Sequence, residues 1–155
     1  GRLIGVEPHS ALVEAARRRV AERRLTDRVE VRRGLAEQMP VGDAEADVVF
    51  SHWAYYFGPG CEPGLAEAGR VLRPGGVFAV TFSNRWFPSK AIQVWTELHE
   101  YERLGMVTQW LQQAGFERLH TLSSRGWPRP ESDAHFSETA VSDPLYAAWG
   151  FKPQK

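Results

Sequence analysis

The sequence predicts an α/β fold with an open, mostly parallel sheet, and three observations carry that reading. The apolar run Leu3-Ile4-Gly5-Val6 stops at a single acid, Glu7, followed by Pro8. In such sheets ligands bind in the crevice outside the carboxyl ends of the strands, where an acid can accept hydrogen bonds from both hydroxyls of a ribose. A helical period and a second strand-like stretch follow at once, so strand, helix and strand fall within residues 1–33. That is one crossover unit, which chirality makes parallel and right-handed. Two later runs, Asp47 to Ser51 and Val77 to Phe82, read as continuous apolar strands of the kind buried on both faces.

Taken in order, Leu3 to Val6 is the first strand, and Ser10 has the side chain of an N-cap. Leu12, Ala16 and Val20 then recur at four-residue steps along an amphipathic helix that runs toward Leu25. Asp27 opens a turn, and Val29-Glu30-Val31 alternates as a short strand before Gly34. Gly34 to Pro40 reads as loop and Gly42 to Ala46 as a polar turn, leading into the strand that delivers Ser51, His52 and Trp53 to the same crevice as Glu7. Gly58 to Gly64 superficially resembles a phosphate-cradling loop, but two prolines without N–H groups make it a plain connector. Leu65, Ala68 and Leu72 trace a short helix, closed by Arg73-Pro74-Gly75-Gly76, where proline followed by glycine suits a type II turn. From Pro88 the period is helical again, with Gly105 expected to bend or divide the helix and Gly115 to end it. Glu117 to Ser124 is a strand, Arg125 to Asp143 a long aperiodic loop, and Pro144 to Phe151 a closing strand.

Composition narrows the function. A chain of 155 residues has the length of one domain, and 19 basic against 19 acidic residues leave no net field to recruit nucleic acid or an anionic membrane surface. Arg17-Arg18-Arg19 and Arg23-Arg24 form a basic run, but Glu14 and Glu22 stand at helical neighbour spacing from Arg18, which reads as a solvated face. Cys61 is the single cysteine, so no intrachain disulfide and no thiolate zinc cluster can form, no metal site is expected, and a reducing, cytoplasmic setting fits. No apolar run approaches the ~20 residues that span a bilayer.

Together, Leu3 to Pro8, Gly34 to Pro40, Asp47 to Ser51, Val71-Leu72-Arg73-Pro74-Gly75-Gly76 with its following strand, and the terminal strand, helix, strand pattern resemble the class I S-adenosylmethionine-dependent methyltransferases. The LRPGG-type turn is the most specific of these features. The resemblance implies a Rossmann-like sheet of order 3-2-1-4-5-7-6 with an antiparallel last strand, over a single domain at 1–155. It also implies S-adenosyl-L-methionine as cofactor. Glu7 and Pro8 would then lie at the ribose, Ala36 and Glu37 at the adenine, and Ser51 and His52 at the methionine part. The family often carries an acid where Leu35 stands, so either adenine would be held here by shape and backbone alone or the site would be weakened.

The resemblance further implies a first strand, with its preceding helix and its glycine-rich loop, that these residues lack, so the domain is expected to be incomplete for cofactor binding on its own. Without that strand the one ending at Glu7 and the one ending at Ser51 face each other across twice the ~4.8 Å strand spacing, with two unpaired apolar edges. The expectation is that the edges close on each other, that another chain fills the slot, or that the sequence is a segment of a longer parent. Homo-oligomer formation or strand exchange through the exposed edge follows as a partner expectation.

Methyl transfer from a sulfonium asks an enzyme mainly for positioning and exclusion of water. His52 is the candidate general base if the acceptor must lose a proton, its alternative being a hydrogen bond within the crevice wall. Trp53, Tyr55, Tyr56, Trp86 and Phe87 are candidates for an apolar small-molecule acceptor pocket, or for ordinary packing. Asn84 and Arg85, after a strand end, would orient a ligand or cap the next helix. The leading expectation is a methyltransferase acting on a small molecule. A catalytically inactive methyltransferase-like domain that works by association is the alternative, and a nicotinamide-binding oxidoreductase is disfavoured by the LRPGG-type turn.

Overall fold

The computed structural model describes residues 1–52, 60–85 and 91–154. Its elements in chain order are β1 (Leu3–Glu7), α1 (Ser10–Glu22), β2 (Val29–Arg33), β3 (Ala46–His52), α2 (Glu62–Val71), β4 (Leu72–Ser83), α3 (Gln93–Glu97), α4 (Glu100–Gln113), β5 (Glu117–Ser124) and β6 (Leu145–Phe151). The strands form two sheets. β1 and β2 pair in parallel, with Leu3 opposite Val29 and Glu7 opposite Arg33. The second sheet has the order β3-β4-β6-β5, with β3 parallel to β4 and β6 antiparallel to both of its neighbours. Laid side by side, the two sheets reproduce the expected strand order with one position empty.

That position is the slot between β1 and β3. The two edges do not close on each other, so both strands keep an outer edge without a ladder partner among the described residues.

The core lies on one face of the larger sheet. Because side chains alternate along a strand, Phe78, Val80 and Phe82 of β4 share a face with Tyr146 and Ala148 of β6. Against that face pack Leu65 and Ala68 of α2, Trp95 of α3, and Leu104, Val107 and Leu111 of α4. Phe82 meets Trp95 edge-on at 5.1 Å and stacks with Tyr146 at 5.4 Å. Each large apolar side chain buried here contributes about 1.5–3 kcal/mol relative to exposure.

The opposite face corrects one expectation. β3 was expected to be buried on both sides, yet Val48 is 60% and Phe50 63% exposed. The register places both on the face away from the helices, with Leu122 of β5 farther across it, so β3 is covered on one side.

Three local expectations also change. Helix α1 begins at Ser10, with His9 as the N-cap, so Ser10 is the first helical residue and not the cap. Gly105 lies inside α4, and the division of the helical stretch falls at Leu98 and His99, where the His99 N–H donates to the Glu102 side chain at 2.7 Å. The terminal helix ends as expected. Gly115 has φ +85°, and the Phe116 N–H reaches back to the Leu111 carbonyl.

The glycines of the turn before β4 have separate reasons. Gly75 has φ +75°, the left-handed value that a type II turn demands. At Gly76 a Cβ would stand 2.9 Å from the Arg73 carbonyl oxygen and 3.1 Å from that of Asp47, so the turn's own backbone, with β3 close beside it, leaves no room for a side chain. The long loop 125–144 is pinned by a bridge between Pro128 and Val141 and by buried Arg129, which donates to Asp133 at 3.0 Å. No helix among the described residues is long and apolar enough to cross a membrane.

Candidate functional site

The slot between the sheets opens into a cavity of ≈ 1210 Å³, and its lining comes from both sides. From the smaller sheet come Ile4, Val6, Glu7 and Pro8, and from the larger come Ala46, Val49, Phe50, Ser51 and His52. The loop after β2 closes a third side with Leu35, Ala36, Glu37, Met39 and Val41. The volume exceeds the several hundred Å³ usual for small-ligand sites. The parallel β1–β2 and β3–β4 pairs bring their carboxyl ends to this crevice, which is why Glu7, Ser51 and His52 share it although 44 residues separate Glu7 from Ser51.

Glu7 is half-buried at the end of β1, and its Oε1 accepts the His9 N–H at 2.9 Å. That bond orients the carboxylate across the entrance to α1, where the helix amides also favour a negative charge. His52 is exposed at the end of β3, and its Nδ1 lies 2.7 Å from the Thr81 hydroxyl on β4. Its ring is nearly coplanar with that of Phe50, at 7° and 6.4 Å between centroids. The wall-bonded arrangement weighed for this histidine from sequence is therefore present, and it leaves the ring lining the cavity.

The adenine-side candidates sit on a tightly folded loop. At Gly34 a Cβ would lie 2.4 Å from Pro40 Cδ and 3.1 Å from Val6 Cγ1, so the loop doubles back onto the end of β2. Leu35 and Gln38 form an isolated bridge across the turn, and Leu35 is exposed toward the cavity. Beyond it, Met39 donates its N–H to Glu67 of α2 at 2.7 Å, and Arg70 donates to the carbonyls of Met39 and Val41 at 3.2 and 2.8 Å. The Arg70 guanidinium beside Glu67 holds that carboxyl below its ordinary range, with the Met39 N–H adding to the effect.

All six cofactor-side candidates, Glu7, Pro8, Ala36, Glu37, Ser51 and His52, line this one cavity. The acceptor-side candidates divide. Asn84 and Arg85 follow β4 at the same end of the sheet, with Arg85 paired to Asp143 of the long loop at 2.8 Å and its N–H bonded to the Ser83 hydroxyl. Trp53, Tyr55, Tyr56, Trp86 and Phe87 lie outside the described residues. Among the described residues no cluster of three or more His, Cys, Asp or Glu forms a metal site. Sequence reading missed Thr81, whose link to His52 depends on strand register, and the Glu67–Arg70 pair, visible in sequence as a helical i,i+3 spacing with no sign of what it holds.

Comparison with known proteins adds an independent line. The family model described as methyltransferase domain matches residues 1–80. A protein of Mycolicibacterium smegmatis described as a probable S-adenosylmethionine-dependent methyltransferase is 33% identical over 124 residues, covering 78% of this chain and 46% of that protein. A demethylmenaquinone methyltransferase of Lactiplantibacillus plantarum is 24% identical over 146 residues, covering 77% of this chain and 62% of that one. The chain thus spans about half to three-fifths of the curated relatives it matches. Among solved structures, a SAM-dependent methyltransferase of Thermotoga maritima superposes with a TM-score of 0.67 at 24% identity, over 96% of this chain and 72% of that one, a likeness of fold.

Proposed function

This chain belongs to the methyltransferase domain family, and on that premise we propose that its cavity takes S-adenosylmethionine for methyl transfer to a small-molecule acceptor. One observation carries the reading: an acid at the end of β1 and the polar tip of β3 meet on a single cavity although they belong to separate sheets. The residues suit the group. Glu7 offers a carboxylate, already oriented by the His9 N–H, to a ribose diol. Leu35 and Met39 offer an apolar wall, and the Ala36 backbone an edge, to a purine ring.

The cofactor supplies a methyl group already activated on a positively charged sulfur. What remains for the protein is to align the acceptor and keep water out. Ser51 and His52 border the methionine part in this reading. Where the acceptor must lose a proton, His52 takes it, with its ring held by Thr81. Asn84 and Arg85 orient the acceptor in this reading, and Trp53, Tyr55, Tyr56, Trp86 and Phe87 are the candidates for its apolar pocket. The demethylmenaquinone methyltransferase among the relatives supports a small organic acceptor. The unladdered edges of β1 and β3 support association with a second copy by strand exchange, and the single cysteine accords with a cytoplasmic location.

Calorimetric titration with S-adenosylmethionine tests the proposal. Weak but saturable binding is expected, with a dissociation constant that Glu7→Ala raises about tenfold, the factor expected from losing about 1.4 kcal/mol of hydrogen bonding. No saturable heat from the unaltered chain refutes the cofactor site. Equal constants for the two proteins refute the ribose role of Glu7.

A further inference from the structure

We infer that Glu67 and Arg70 are positioning residues for the cavity: from α2 they set the conformation of the loop that forms its third wall, and so the affinity for the adenosine part of the cofactor. The inference rests on the cofactor reading above, and it concerns two residues that are not among those lining the cavity.

The segment from Met39 to Ala44 belongs to no helix or strand, so its backbone N–H and C=O groups must find partners elsewhere. Two side chains one helical turn apart supply three of these partners, while Arg32 meets the Pro40 carbonyl, Glu45 the Gly42 N–H, and the Met39 carbonyl the Val41 N–H. Glu67, buried, accepts the Met39 N–H at Oε1. Arg70 donates from one terminal nitrogen to the Met39 and Val41 carbonyls, and from the other to the Asp43 carboxylate. Its Nε and that same first terminal nitrogen each donate to a Glu67 oxygen at 2.7 Å, which fixes the plane of the guanidinium. The Arg70 carbonyl accepts the Ala44 N–H at 3.0 Å.

Movement at Met39 cannot stay local. Pro40 is pressed against Gly34, and the Gln38 N–H is bonded to the Leu35 carbonyl at 3.2 Å, so the turn that presents Leu35, Ala36 and Glu37 is continuous with the clamped segment. Met39 itself packs against the main core, which makes the clamp a direct link from the core to the cavity wall. Arginine suits this task and lysine does not, because the task needs a rigid planar fan of donors and not merely a charge.

The experiment uses the full chain with Arg70→Lys and Glu67→Gln, read in two ways. In hydrogen exchange, the amides of Met39, Val41 and Ala44 are expected to speed up about tenfold, the factor in 1.4 kcal/mol, while those of Val80 and Leu111 stay unchanged. Unchanged exchange in 39–44 overturns the inference. In calorimetry with S-adenosylhomocysteine, the demethylated form of the cofactor, both variants are expected to bind about tenfold more weakly at unaltered stoichiometry. A fall in stoichiometry with an unaltered constant signals lost folded protein and overturns the positioning role. If the unaltered chain does not bind this ligand, the proposed function falls and the affinity claim with it, while exchange still decides whether the clamp holds the wall.

Discussion

The two banks of the cavity are held by different means. β3 and β4 belong to a sheet backed by three helices, with Phe78, Leu111 and Tyr146 removed from solvent. β1 and β2 have α1 alone, and Val13 is the one fully buried apolar side chain that residues 1–45 supply. Hydrogen bonds partly replace burial there: Arg17 grips the Val31 carbonyl, Arg32 bonds Glu30, and Glu67 with Arg70 ties the intervening loop to α2. Stability therefore concentrates on one bank, while Glu7 and the loop after β2 sit on the other. Ligand-binding elements are commonly drawn from the less stable parts of a fold, and here the division follows the slot.

The largest effect expected from this contrast is at the core. Leu111→Ala should cost about 3 kcal/mol, read as a shift of the urea midpoint for the whole chain, because it opens a cavity under β6. Val13→Ala should cost about 1 kcal/mol and speed amide exchange mainly in β1 and β2. Equal costs for the two would break the contrast.

Acid should separate the banks next. The folded-state pKa of Glu67 lies below its ordinary 4.5, chiefly through its hydrogen bond from Arg70. Its contribution is complete above the unfolded value and is lost as pH falls through the lower folded one. Below pH 4.5 the Met39 amide should lose protection before the core amides do, and Glu67→Gln should remove that pH dependence. Simultaneous loss in both regions would show that Glu67 is not the link.

The smallest effect belongs to the open face of β3. Phe50→Ser should change stability by no more than about 0.5 kcal/mol, since the ring is already exposed, while reducing self-association in sedimentation. A larger loss of stability would mean that this face is covered in solution.

Where spacing alone sets structure, the sequence was legible. β5 falls on the residues expected, β6 begins one residue late, and the six cofactor-side candidates share one cavity because parallel strands bring their carboxyl ends together. What escaped depends on distant partners. The exposure of Val48 and Phe50 is decided by what covers β3 and not by β3's own composition. The break at Leu98 and His99 was hidden because histidine is not a usual capping residue, and the bond that the His99 N–H donates to Glu102 shows only in three dimensions. The reach of Glu67 to Met39 crosses 28 positions, beyond any periodicity.

The reversal of β6 leaves one legacy for descent. Because it runs against both neighbours, the chain departs at Ser124 and returns at Leu145 on the same side of the sheet, level with Ser83. Residues 125–144 form an excursion that can lengthen or be rewritten without breaking a rung of the ladder, so this segment can vary while the sheet is inherited intact.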